Sequence, residues 1–313
     1  MPDSTPRKIV ADLHNHSLAS DGELSPAEVV AQAAAKGLTA VALTDHDTLA
    51  GLDEALAAGG AAAILVIPGV ELTLRFKRPE FVGSLHLLLY FQPEWLRQPT
   101  FCRTLEELFA AGRGSSLARE RVAAINRVYG PTGSCPRLKR ILTTTELESL
   151  ADNVTRRHFA RVLAENHQLA RGQVNEIIAN HSPAYIPSGV DPEKVPPLRA
   201  KFPFLSLLAH PAAGSFPPPS HYREVLPPWP VVAGLLPELL DAQKLGLDGL
   251  EIEYPGHREQ EKRILRRLAA EQGLLVGGGS DGHDLRERPY GVAGLEQADW
   301  ERFQARFNTL ARP

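Results

Sequence analysis

The chain has 313 residues, of which 43% are apolar, enough for one large buried core or two smaller ones. Its formal charge of −3 excludes a surface built for extended polyelectrolyte contact, although a local basic pocket is compatible with it. Residues 1–7 hold no apolar leader core and no run approaches the roughly 18 apolar residues of a membrane span, so a soluble, cytoplasmic protein without membrane contact is expected.

In chain order, residues 8–13 are a short apolar run that reads as a strand. It leads into Asp12-Leu13-His14-Asn15-His16, with Asp21 just downstream. Side chains alternate along a strand, so His14 and His16 project to the same side and can grip one ion. Ser25-Pro26-Ala27-Glu28 is a capping box with proline at the first helical position, opening a helix that Gly37 ends. A strand over 40–43 precedes Thr44-Asp45-His46, a helix follows at about 49–58, and a strand over 64–67 precedes Gly69-Val70-Glu71. His86 stands beyond a 73–84 connection that reads as expanded.

Between about 100 and 183 the alternation stops and helices are expected over 105–109, 116–128, 156–165 and 173–179. This stretch reads as a helical insertion. Its Arg156-Arg157-His158 cluster lies near a helix start, where backbone amides and two guanidiniums could clamp phosphate; a solvated basic turn is the plain alternative. Cys102 and Cys135 lie outside every ligand packet and read as free thiols of a reducing compartment.

The alternation resumes with a strand over 204–209 and Ala209-His210-Pro211, then a proline-rich segment, 215–230, expected as a loop at the site's rim. Next come a helix within 232–245, a strand over 249–253 followed by His257, a helix over 258–272, and a strand from 274 before Gly279-Ser280-Asp281-Gly282-His283. Strands alternating with helices indicate parallel α/β architecture, and in such barrels the chemistry gathers at the carboxyl ends of the strands.

A lone HxH is a weak signal, because histidines also cap loops and sit satisfied in cores. Six packets at strand ends, which use or neighbour most of the 11 histidines, are hard to explain by packing. Imidazole and carboxylate without thiolate suit Zn, Mn or Fe, and a carboxylate such as Glu71 can bridge two ions.

On these motifs the chain resembles the PHP (polymerase and histidinol phosphatase) family, in its stand-alone group of nucleotide and sugar phosphoesterases, from Asp12 to about Gly294. The resemblance implies a distorted (β/α)7 barrel with a helical insertion: a discontinuous barrel over 8–99 and 184–296, and an inserted subdomain over 100–183. It implies two or three divalent ions (Mn, Fe or Zn). His14, His16, Glu71 and Asp281 would hold one; Glu71, His86 and His210 a second; Asp21, His46 and His283 a third. It further implies that Arg156 and His158 bind substrate phosphate, with Arg157 standing where relatives more often carry proline. His257 matches a relative's histidine that protonates the leaving group or contacts phosphate.

The expected activity is hydrolysis of small phosphomonoesters, with nucleotides (mono- or 3′,5′-bisphosphates) as the expected substrates, by metal-activated hydroxide attack. The alternatives are a phosphodiesterase or 5′→3′ exonuclease on short oligonucleotides, and a non-catalytic metal-binding accessory module, whose signature would be lost ligands. An amidohydrolase barrel also opens with HxH but normally continues with a different ligand pattern. No protein partner is implied.

Overall fold

The computed structural model describes residues 8–149, 154, 156–179, 181–215 and 226–313, with the side chains of Arg156 and Arg157 outside the described set. Seven strands, β1 (Ala11–Asp12), β2 (Ala40–Leu43), β3 (Leu65–Arg78), β4 (Phe81–Tyr90), β5 (Leu205–Leu208), β6 (Gly249–Glu253) and β7 (Leu275–Gly278), form one sheet in sequence order. β1–β2, β2–β3, β5–β6 and β6–β7 pair in parallel. The sheet curls until its ends nearly meet: Leu13 N donates to Gly278 O at 3.1 Å, and Asn15 bridges Gly282 in parallel. This is a distorted α/β barrel of seven strands.

The helices are α1 (Pro26–Ala35), α2 (Leu52–Ala62), α3 (Pro99–Gly112), α4 (Gly114–Tyr129), α5 (Thr144–Glu148), α6 (Arg156–Glu165), α7 (Arg171–Ile178), α8 (Val195–Lys201), α9 (Trp229–Leu240), α10 (Glu259–Gln272) and α11 (Gln297–Asn308). The start of α1 is fixed as its sequence requires. Ser25 Oγ accepts from Glu28 N at 3.3 Å, and Glu28 Oε2 accepts from Ser25 N at 2.8 Å. No helix among the described residues is long and apolar enough to cross a membrane.

Two elements differ from expectation. Residues 73–84 are not a connecting loop but the outer part of a long β3–β4 hairpin, so Glu71 and His86 lie within strands rather than at strand ends. A two-residue connection joins only antiparallel neighbours, so β4 runs backwards and pairs antiparallel with β5 as well, interrupting the parallel order. The expected rim loop over 215–230 falls largely on residues 216–225, outside the described residues, and its end begins α9.

Contacts divide the chain into two compact units: Met1–Thr73 with Leu85–Glu106 and Pro192–Pro313, and Leu74–Ser84 with Glu107–Asp191. In the first, the barrel core joins Leu13, Ile67, Leu88, Tyr90, Leu205 and Leu207 to Trp300, Phe303 and Phe307 of α11. Tyr90 lies across this core, and its hydroxyl donates to Leu13 O at 2.8 Å, just before the first histidine. The second unit has its own core, in which Val122, Ile125 and Tyr129 of α4 meet Phe159 and Leu163 of α6 and Val174 and Ile177 of α7.

Candidate metal centre

The donors converge on Glu71, which is fully buried within β3. Its Oε2 lies 3.1 Å from His14 Nε2, 3.1 Å from His16 Nε2 and 3.2 Å from His46 Nδ1. Its Oε1 lies 2.9 Å from His86 Nδ1 and 3.1 Å from His210 Nε2. Asp281 Oδ1 completes the inner face, 3.1 Å from His16 Nε2 and 3.5 Å from His14 Nε2. At the outer edge, Asp21 Oδ1 is 3.3 Å from His283 Nε2 and 3.6 Å from His16 Nδ1.

Three overlapping groups could each hold an ion: His14, His16, Glu71 and Asp281; His46, Glu71 and His86; and His16, Asp21, His46 and His283. Eight of the nine expected donors fall in these groups, and the ninth, His210, shares Glu71 Oε1 with His86. Two donors serve a second group. His16, expected with His14, Glu71 and Asp281, also joins Asp21, His46 and His283, and His46, expected beside Asp21 and His283, also closes a group with Glu71 and His86, to which an isolated parallel bridge between residues 46 and 71 brings it.

The chemistry of this set fits divalent ions. Four donors held tetrahedrally at roughly 2.0–2.1 Å stand about 3.4 Å from one another. The inner donors are spaced at 3.1–3.5 Å, including the approach of two imidazole nitrogens, His14 Nε2 and His16 Nε2, to 3.2 Å. Glu71 Oε2 and His283 Nε2 are buried without a hydrogen bond, although donors surround them. Lone pairs aimed at a common point are what an ion requires and what packing alone avoids.

The charges reinforce one another. Burial raises the cost of ionising Glu71 and Asp281, yet the clustered histidines hold both carboxyls well below the usual range. Burial likewise disfavours the charged form of His16, but the adjoining carboxylates of Asp281 and Glu71 raise it to about 10, and His14 also rises, through Glu71, Glu251 and Asp281. Burial takes His46 down to about 4. Protons and divalent ions therefore compete for the same nitrogens.

A ring of further residues fixes the donors. Asp12 accepts from Ser280 N at 2.9 Å, Ser280 Oγ at 2.6 Å and Gly291 N at 2.9 Å, tying β1 to the loop after β7. Gly279 is required there, because a Cβ would stand 2.4 Å from His14 N. Asp45 accepts from Ser17 N and Oγ at 2.7 Å and from Ser20 Oγ at 2.6 Å, which orients the loop bearing Asp21. Arg288 donates to Asp281 Oδ2, leaving Oδ1 for the inner face. Asp12 and Asp45 sit inside the histidine packets and could have been assigned on that ground; Arg288 carries no sequence signal.

His257 is buried with both ring nitrogens on backbone groups: Nε2 accepts from Ala212 N at 3.1 Å and Nδ1 faces Ile252 O at 3.0 Å. Burial lowers it to about 4. Arg156, Arg157 and His158 begin α6 in the second unit; His158 is half-buried.

An α/β barrel that gathers imidazoles and carboxylates around one buried glutamate defines a metal-dependent hydrolase. Residues 12–135 match the PHP domain model, a segment carrying six of the nine donors, His14, His16, Asp21, His46, Glu71 and His86. The chain is 29% identical to a 5′-3′ exoribonuclease of Haemophilus influenzae, covering 87% of this chain and 89% of that protein. It is 27% identical to a 3′,5′-nucleoside bisphosphate phosphatase of Chromobacterium violaceum, over 87% and 86%. Among solved structures, a proposed metal-dependent phosphoesterase of Bifidobacterium adolescentis superposes with a TM-score of 0.59 at 25% identity, covering 95% and 96% of the two chains. A Chromobacterium violaceum protein described as an amidohydrolase, with bound sulfate and no metal, gives 0.62 at 25% identity over 97% and 98%. Residues 12–135 carry a PHP domain, and the chain is a metal-dependent phosphoric ester hydrolase.

Proposed function

We propose that the enzyme hydrolyses small phosphorylated nucleotides, mono- or 3′,5′-bisphosphates, at a centre of two or three Mn, Fe or Zn ions built around Glu71. The observation that carries this reading is the pair of Glu71 oxygens, one facing His14, His16 and His46 and the other facing His86 and His210, as a bridging carboxylate requires. Bound ions supply Lewis acidity, offset charge on phosphoryl oxygens and lower the pKa of a coordinated water.

The chain's own residues prepare that chemistry. A carboxylate only accepts, so Glu251 Oε1, 3.0 Å from His14 Nδ1, places the His14 proton on Nδ1 and leaves Nε2 a lone pair toward the centre. Asp281, clamped through Oδ2, presents Oδ1. Arg156, Arg157 and His158 at the start of α6 are the proposed phosphate-binding group, with His158 a candidate acid for the leaving alkoxide. All nine donors are present, which disfavours a non-catalytic accessory module. Free Cys102 and Cys135 suit the proposed cytoplasmic setting.

A second reading, stepwise 5′→3′ release of mononucleotides from short oligonucleotides, is supported by the likeness to the Haemophilus exoribonuclease. One assay separates the two: phosphate and nucleotide release by metal-loaded enzyme from nucleoside 5′-monophosphates, nucleoside 3′,5′-bisphosphates, histidinol phosphate, sugar phosphates and short 5′-phosphorylated oligonucleotides. The expected result is inorganic phosphate from a nucleotide with the highest kcat/KM of the panel. Mononucleotide release from oligomers with a higher kcat/KM would transfer the assignment to the exonuclease.

A further inference from the structure

Strand β6 supplies none of the nine donors, yet three residues within and just beyond it, Glu251, Tyr254 and His257, hold elements that do. Glu251 is fully buried, its Oε1 receiving His14 Nδ1 at 3.0 Å and its Oε2 receiving the backbone N–H of His210 at 2.7 Å. One carboxylate thus links the histidine after β1 to the histidine after β5. Tyr254 Oη donates to Asp281 Oδ2 at 3.2 Å. His257 accepts the N–H of Ala212, two residues beyond His210; that bond occupies its Nε2 lone pair, so Nδ1 carries the proton and donates to Ile252 O.

The backbone shows why such support is required. Two of the nine donors, His210 (φ 29°) and Asp281 (φ 51°), stand in the left-handed region that residues with a Cβ rarely adopt. These are the donors that the residues of β6 hold. Strained conformations persist only where the surroundings over-determine them. Glu251 and His257 do so for the His210 turn, and Tyr254 for the Asp281 side chain.

We infer that Glu251, completed by Tyr254 and His257, is a positioning device for metal uptake: it fixes which His14 nitrogen faces the ion and holds the His210 turn in place. The inference rests on the reading of this centre as a metal site. Ligating imidazoles depend on the partner of their other nitrogen in general, and losing that partner typically costs about 10–100-fold in metal affinity. Here one buried carboxylate serves two donors on separate strands, so Glu251→Gln removes one acceptor whichever way the amide turns.

The test is competitive titration of Mn and Zn into full-length wild type, Glu251→Gln, Glu251→Asp and Tyr254→Phe, with metal-free thermal denaturation alongside and, for the Zn-loaded forms, the His14 Nδ1–H resonance. Glu251→Gln is expected to bind about 10–100-fold more weakly and to lose or shift that resonance, while Glu251→Asp recovers part of the affinity. Tyr254→Phe, which removes one hydroxyl, is expected to weaken binding several-fold without moving the His14 signal, and it tests the brace if Glu251→Gln fails to fold. Wild-type affinity in folded Glu251→Gln, or in Tyr254→Phe where that is the variant available, overturns the inference and leaves the metal centre standing. No binding by the wild type would overturn both.

Discussion

Glu71→Gln is expected to lower kcat/KM for any phosphoester substrate by about 10⁴-fold, close to 5.5 kcal/mol of transition-state stabilisation, with the protein still folded. The amide nitrogen of glutamine offers no lone pair to an ion. Turned one way it disables the face shared by His14, His16 and His46; turned the other way it disables the face shared by His86 and His210. Either orientation would remove one face of the donor set. Steady-state kinetics paired with metal analysis checks this: activity and bound metal should fall together, and an active variant carrying full metal would remove Glu71 from the mechanism.

Asp281→Asn is expected to cost about 10²–10³-fold in kcat/KM, less than the loss at Glu71 because only Oδ1 of Asp281 faces the centre whereas both Glu71 oxygens do. Asparagine is the informative substitution, since it tolerates the left-handed backbone found at Asp281 (φ 51°) and so isolates charge from strain. Its amide must either turn NH₂ toward Arg288 and Tyr254, both of which donate to Asp281 Oδ2, or present NH₂ to the inner face. A loss confined to KM, with kcat and metal content unchanged, would place Asp281 outside the metal centre.

Much of this architecture is legible in the sequence where chemistry and local rules coincide. The capping box at Ser25 and the short apolar runs at 40–43 and 249–253 each obey a short-range rule, and each occurs where that rule puts it. The β3–β4 hairpin is less legible: Thr73 to Ser84 mixes charged and apolar residues with Pro79 and Gly83, so a strand that runs on past its ligand reads as a loop. Helix α11 is silent for another reason. Its Trp300, Phe303 and Phe307 form an apolar stripe whose significance depends on the barrel core it covers.

Within the candidate centre, the sequence suggests donors but not how they group. His46 joins Glu71 and His86 through a bridge between strands, a tertiary fact. Glu251 and Tyr254 lie in the same short stretch as His257, yet nothing local distinguishes a carboxylate that binds an ion from one that orients a ligand. That difference lies in Glu251 meeting His14 and the His210 amide, partners 237 and 41 residues away.

The most direct test of the central claim is phosphate release from a nucleoside 3′,5′-bisphosphate and a nucleoside 5′-monophosphate by protein stripped of metal and then titrated with Mn, with bound metal counted at each step. The account predicts negligible turnover in the stripped protein, recovery that follows occupancy to two or three ions per chain, and no recovery in Glu71→Gln. Full turnover by the stripped protein, or full recovery in the metal-titrated Glu71→Gln variant, would contradict it.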